Sequence, residues 1–184
     1  MYGKKTEKRI CQGDILEDFT YKFTKIFDQS GEIISINLPY AIVLTQDCDL
    51  EWDYEKRFTN PSQKNDDKLL QSILICPAYI AEQFRSGDHL SSLGLKMESW
   101  ATDLWKHIKN NQNERFHFLD EEIDNGMPNL VVDFKHYYTV PIADIYSIVE
   151  SKYKISIGTL FREDISRRFA NFLSRIGLPV RPQA

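Results

Sequence analysis

Long apolar runs are missing from this 184-residue chain, and none approaches the ~18 residues that a membrane-spanning helix needs. The first residues are charged and lack the apolar stretch of a secretory leader, so no membrane partner is expected. Cysteine is scarce. Cys11, Cys48 and Cys76 form no CxxC pair, which argues against a disulfide scaffold and predicts a reducing, cytoplasmic setting. There is no Gly-rich phosphate loop and no GxSxG, which removes P-loop NTPase and α/β-hydrolase readings. No motif calls for a cofactor. An excess of positive charge is missing as well: 23 Lys and Arg stand against 27 Asp and Glu, a net charge of -4. That balance does not favour a broad nucleic-acid footprint. Local basic faces remain at Lys4, Lys5, Lys8 and Arg9, and at Arg167, Arg168 and Arg175.

What is present describes a folded domain. Hydrophobic residues make up 42% of the chain and aromatics 12%, enough for a core without staples. The patterning predicts an α+β domain over 1–184: an antiparallel sheet or small β-barrel core in 12–78, a helical insertion in 78–112, further strands in 113–160, and a C-terminal amphipathic helix over 161–176. Residues 1–12 read as loosely attached. Phe19, Tyr21 and Phe23 alternate with polar residues, as a half-buried strand requires. Asp28–Gly31 carries turn chemistry, and Ile33–Ile36 completes a hairpin. Tyr40–Gln46 reads as a central buried strand with Pro39 at its first position. Pro77 is expected to end the strand Ile73–Cys76. Trp100, Leu104, Trp105 and Ile108 share one face of a helix expected over 98–110. Ile165, Phe169, Phe172, Leu173 and Ile176 form a single helical stripe, with Gly177 and Pro179 as stop signals.

Function has one local candidate, Thr45-Gln46-Asp47-Cys48-Asp49, immediately after the buried strand, where a scaffold presents side chains rigidly. Carboxylates beside a thiol do not activate it, because reactive cysteines need electropositive surroundings. Asp47 and Asp49 offer oxygen ligands for a divalent cation, but two acids are too few without Asp133 or Asp144. The simpler reading is structural: acidic side chains accept backbone N–H bonds at the strand end, above a small buried Cys48. Trp100 and Trp105 are core residues or, if exposed, a partner-facing groove. Arg167, Arg168 and Arg175 could contact phosphates. On the solvated-face reading, Arg168 contributes within about 0.5 kcal/mol to stability.

The first half resembles the MazF/PemK-type small barrel of bacterial toxin–antitoxin systems. The matching features are Gly13-Asp14-Ile15, then Pro39-Tyr40-Ala41-Ile42-Val43-Leu44-Thr45, then Ile73-Leu74-Ile75-Cys76-Pro77. The resemblance implies an SH3-like barrel that cleaves single-stranded RNA, using an arginine before the first proline and a Thr or Ser after the second. Here Leu38 precedes Pro39, and Ala78-Tyr79 follow Pro77. The fold is therefore expected without the catalytic residues. The expected function is a non-catalytic binding or adaptor module of a bacterial stress or defence system, with another protein as partner. The alternatives are a nuclease, either RNA-cleaving or metal-dependent, and a small-molecule or redox sensor using Cys48.

Overall fold

A computed structural model describes residues 1–175 other than 5, 6, 28, 29, 63 and 64. In chain order the strands and helices are β1 (Tyr2–Gly3), β2 (Asp14–Phe27), β3 (Ser30–Val43), α1 (Asp47–Tyr54), β4 (Ser72–Ile80), α2 (Ala81–Ser86) and α3 (Thr102–Lys109). There follow β5 (Phe116–Leu119), β6 (Leu130–Asp133), β7 (Tyr138–Pro141), α4 (Ile142–Lys152), β8 (Tyr153–Ile157) and α5 (Thr159–Leu173). The fold is α+β, with the strands in one curled antiparallel half-barrel sheet. Its order is β1-β8-β2-β3-β4-β6-β5, and β7 pairs with the other half of β4.

The hairpin β2–β3 is the backbone of the sheet. It keeps one register from Ile15↔Ile42 to Phe27↔Ser30, with the Asp18/Pro39 pair left out of the ladder. Asp18 has φ +50°, an uncommon left-handed backbone that Asp tolerates better than most residues. It inverts the alternation of faces: Leu16 and Ala41 pack in the same cluster as Phe19 and Leu38, three residues further along each strand. Pro39 therefore lies inside a long strand, and not at the start of one. Turn residues 28 and 29 lie outside the described residues.

Pro77 does not end its strand. β7 pairs with Ser72–Ile75 and β6 with Ala78–Ile80. Pro77 falls in the gap between them, where a missing N–H breaks no ladder bond on that side.

The sheet buries apolar residues on both faces. One face, with Ile15, Ile42, Cys76 and Val132, is covered by Ile165, Phe169 and Phe172 of α5. Phe134 packs edge-on against Phe169, with ring centroids 5.6 Å apart. Leu173 is half exposed, and Ile176, Gly177 and Pro179 lie outside the described residues. The other face carries two clusters. α4 packs on Leu16, Phe19 and Val43, while Phe84, Trp105 and Ile108 of the 81–118 segment pack on Tyr79 and Val131. α2 ends at Gly87, whose φ is +85° and whose Cβ would meet the Met97 carbonyl at 2.6 Å. Only glycine fits there.

The first residues are not loose. β1 pairs with β8, and Ile10 is fully buried. Gly13, at φ +83°, turns the chain into β2. Buried Asp14 then accepts Cys11 N–H at 2.9 Å and the Ser156 hydroxyl at 2.6 Å. The Gly-Asp-Ile triplet is thus a turn, a hydrogen-bond anchor and a core residue in succession.

Candidate functional site

Residues 45–49 do not emerge from the strand together. β3 stops at Val43, and Asp47 already opens α1, where a carboxylate favours the helix dipole. Thr45 Oγ1 accepts Leu74 N–H at 2.6 Å, which closes the strand end. Asp47 is held by both arms of the Arg9 guanidinium (3.0 and 2.9 Å) and by Gln12 N–H (3.1 Å), with Arg162 at 3.5 Å. Partial burial works to raise the Asp47 pKa, but the Arg9 and Gln12 bonds and the nearby cations outweigh it and leave the carboxyl below its ordinary value. Gln12 in turn donates to the Leu44 carbonyl (3.2 Å) and the Ser166 hydroxyl (2.9 Å). The cluster is a knot that ties the N-terminal segment, the strand end and α5 together.

Cys48 is exposed, not packed beneath a turn. Its sulfur lies 3.8 Å from Gln46 Oε1 and from Asp49 Oδ1, and neither of these partners is a histidine or a cation that would activate the thiol. The buried thiols are Cys11 and Cys76, and the Cys76 pKa is pushed well up by burial and by the neighbouring Asp133 carboxylate. Asp133 is itself buried between Arg115 (2.8 and 2.6 Å) and His136 (3.2 Å). Among the described residues, no group of three His, Cys, Asp or Glu side chains is placed to hold a metal ion.

The proposed contact residues are also engaged. Arg167 pairs with Asp164 at 2.7 Å. Arg168 donates to the carbonyls of Asn111 (2.6 Å), Asn113 (2.8 Å) and Phe116 (2.8 Å), fastening α5 to the approach to β5. The Arg175 guanidinium lies 3.7 Å from the centroid of the Phe172 ring. Trp105 is buried, edge-on to Phe118. Trp100 precedes α3, half-buried and stacked on Phe84. Both tryptophans belong to the core of the 81–118 segment, so neither forms an exposed groove.

A concave surface lies elsewhere, in a stretch that reads as polar loop. After α1 the chain widens into a π turn over Glu55–Thr59, closed by Asn60 N–H on Glu55 O at 2.7 Å. Such turns often occur at functional positions. Asp53 is fully buried at its base. It accepts Arg57 Nε on both oxygens (2.9 Å), Leu70 N–H (2.7 Å) and the Tyr146 hydroxyl (2.9 Å). Arg57 Nη2 also donates to Leu70 O at 2.6 Å, while Nη1 makes no bond to any described residue. Burial and the bond to Asp53 push the Tyr146 phenol up.

This network frames a cavity of about 500 Å³ lined by Lys56, Arg57, Phe58, Asp66, Leu69 and Tyr146. Phe58 stands edge-on to Tyr146 (5.0 Å) and beside Tyr54 (5.0 Å), yet is 55% exposed. Trp52, one turn back, is 47% exposed. A second hollow of about 390 Å³ continues the groove through Arg57 and Leu69 to Gln71. The Asp53–Arg57 spacing of four, amid Trp52, Tyr54 and Phe58, was the available sequence signal. Tyr146 was not foreseeable without α4.

No protein-family model matches this chain, and no curated protein or solved structure is significantly similar to it.

Proposed function

We propose that this chain is a non-catalytic binding module whose protein partner docks in the groove between the π turn after α1 and α4. The observation that carries this reading is the Asp53 network. A buried carboxylate fixes Arg57 and Tyr146 around an open cavity, at whose rim Phe58 is half exposed. Rigid aromatics and a partly free arginine beside a preformed hollow are the residue types that dominate binding energy at interfaces. The unbonded Arg57 Nη1 suits a partner that brings a carboxylate next to an apolar or aromatic side chain.

The motifs at Gly13–Ile15 and Pro39–Thr45 further lead us to read the curled sheet as a variant of the small SH3-like barrel, closed by α5. The MazF/PemK resemblance would place the module in a bacterial stress or defence system. RNA cleavage has less support. Asp47 is consumed by Arg9 and Gln12, and the arginine that the resemblance asks for is replaced by Leu38.

The test is a differential capture with immobilised wild type, Phe58→Ser, Trp52→Ser, and Ile123→Ser as an exposed control outside the groove. A protein retained by wild type and by Ile123→Ser, but lost with Phe58→Ser, supports the reading. Equal retention by wild type and all three variants overturns it.

A further inference from the structure

The β2–β3 hairpin outruns the rest of the sheet. β8 borders β2 only along Asp14–Leu16, and β4 borders β3 only along Tyr40–Val43. From Phe19 and Leu38 outward the hairpin is therefore a two-stranded arm that keeps its ladder as far as Phe27↔Ser30. A two-stranded ribbon by itself is at best marginally stable in water. At the base of this arm Tyr21 and Ile36 reach the cluster under α4. One step further out, the opposed Phe23 and Ile34 are half-buried and join none of the three buried clusters. Ile33, on the other face of the arm, is 72% exposed.

The two edges of the arm differ. The β2 edge carries Lys22 and Lys25, and Phe19–Lys22 line a hollow shared with α4 and β7. Edge lysines are one way in which natural sheets prevent unwanted strand pairing. The β3 edge has no such protection. From Ile33 to Leu38 it reads Ile-Ile-Ser-Ile-Asn-Leu, with no charge and no proline. Among the described residues, no strand other than β2 pairs with Gly31–Asn37. In antiparallel pairing alternate residues turn their N–H and C=O outward, so this edge is a template for a further strand.

We propose that the occupant of this edge is β3 of a second copy of the chain, added antiparallel about a two-fold axis through Ser35. In that register Ser35 faces its own counterpart, Ile34 lies opposite the second copy's Ile36, and Ile33 opposite its Asn37. Directly opposed side chains share a face of the sheet, so Ile34 and Ile36 of both copies form one apolar row continuing from Phe23. No charge opposes another. An axis through Ile33 or Ile34 instead sets Glu32 against Ile34 or Ile36, and a β2–β2 seam gathers Lys22 and Lys25 of both copies, which repel. A second copy thus matches the edge residue by residue, as an isologous contact requires. The seam is short, which implies a weak dimer with a Kd of roughly 10–100 µM. This inference goes beyond the docking groove and does not depend on it.

The experiment is sedimentation equilibrium on the full chain at protein concentrations from about 1 to about 300 µM. Wild type should pass from monomer to dimer across that range. Ser35→Lys and Ser35→Glu each set two like charges against one another at the axis, and each should weaken association by roughly tenfold or more. An equimolar mixture of the two brings Lys against Glu and should restore the dimer. Ser35 and Ile33 are exposed, and unchanged melting curves confirm that their variants fold. Ile33→Lys, which faces Thr24 within its own hairpin, should weaken association without altering the axis. Phe58→Ser, in the docking groove, should associate like wild type. A monomer at the highest concentration, association unmoved by Ser35→Lys and Ile33→Lys, no recovery on mixing, or loss of the dimer in Phe58→Ser overturns the proposal.

Discussion

Replacing Arg168 by Ala should destabilise the protein by about 2–4 kcal/mol, although its position on the helix wheel suggests a solvated surface residue. The magnitude comes from what the guanidinium holds. Three carbonyls, at Asn111, Asn113 and Phe116, accept from it at 2.6–2.8 Å. Charge-assisted bonds are worth roughly 1.5–3 kcal/mol each, but they do not add when one side chain makes all of them. Asn111 and Asn113 are only half buried, so water recovers part of the loss there. Phe116 is buried, and its carbonyl is the one left poorly matched. Arg168→Lys supplies a single point of donation and should recover less than half. Urea melts with Phe169→Ala as the benchmark, expected to lose about 3–5 kcal/mol as a core truncation, set the scale. An Arg168→Ala variant within about 0.5 kcal/mol of wild type would mean that the three bonds are replaced by water at no cost. The anchoring argument would then fail.

Acid should weaken the fold through histidine. Burial, aided by the Arg168 cation and opposed by Asp164, pushes His117 down from 6.5 to about 4. The folded protein keeps it neutral while the unfolded chain protonates. Stability is therefore whole above pH 6.5 and falls by about 3 kcal/mol as the pH drops toward 4, with His89 and His136 adding to the same limb. Denaturation across this range should show a flatter limb in His117→Gln, and an unchanged one refutes the assignment. Asp53→Asn should cost roughly 3–5 kcal/mol by leaving Arg57 without its buried partner. It should also let Tyr146 ionise at lower pH; an absorbance titration and melts check both effects. In native protein Cys48 should react rapidly with a thiol reagent, while Cys11 and Cys76 wait for unfolding. Fast labelling of all three would contradict the burial described above.

Much of the sheet was legible because strand alternation and β-branched runs act locally. Phe116–Leu119 is strand β5, and the pattern from Phe19 to Ile36 is the hairpin. The prolines misled because their meaning depends on neighbours: Pro77 is tolerated only by virtue of where β6 and β7 stop. α4 escaped notice even though Ile142, Ile145 and Val149 lie at helical spacing and are buried. Their β-branching reads as strand when taken alone. α1 has almost no apolar face, and only Leu50 and Asp53 are buried, so no periodicity announces it. The site fared worse for a related reason. Asp47 and Thr45 look reactive in a line of text, but their partners, Arg9 and Leu74 N–H, come from distant segments. The groove around Asp53 depends on Tyr146, 93 positions away.

The knot joining Gln12 to Ser166 spans 154 positions, which has a consequence for biosynthesis. While the chain leaves the ribosome, the β2–β3 hairpin can form early, but the sheet face bearing Ile15, Ile42, Cys76 and Val132 has no cover until α5 is made. For most of translation that greasy surface is open to chaperones or to neighbouring nascent chains. A message truncated before Thr159 would leave it open permanently.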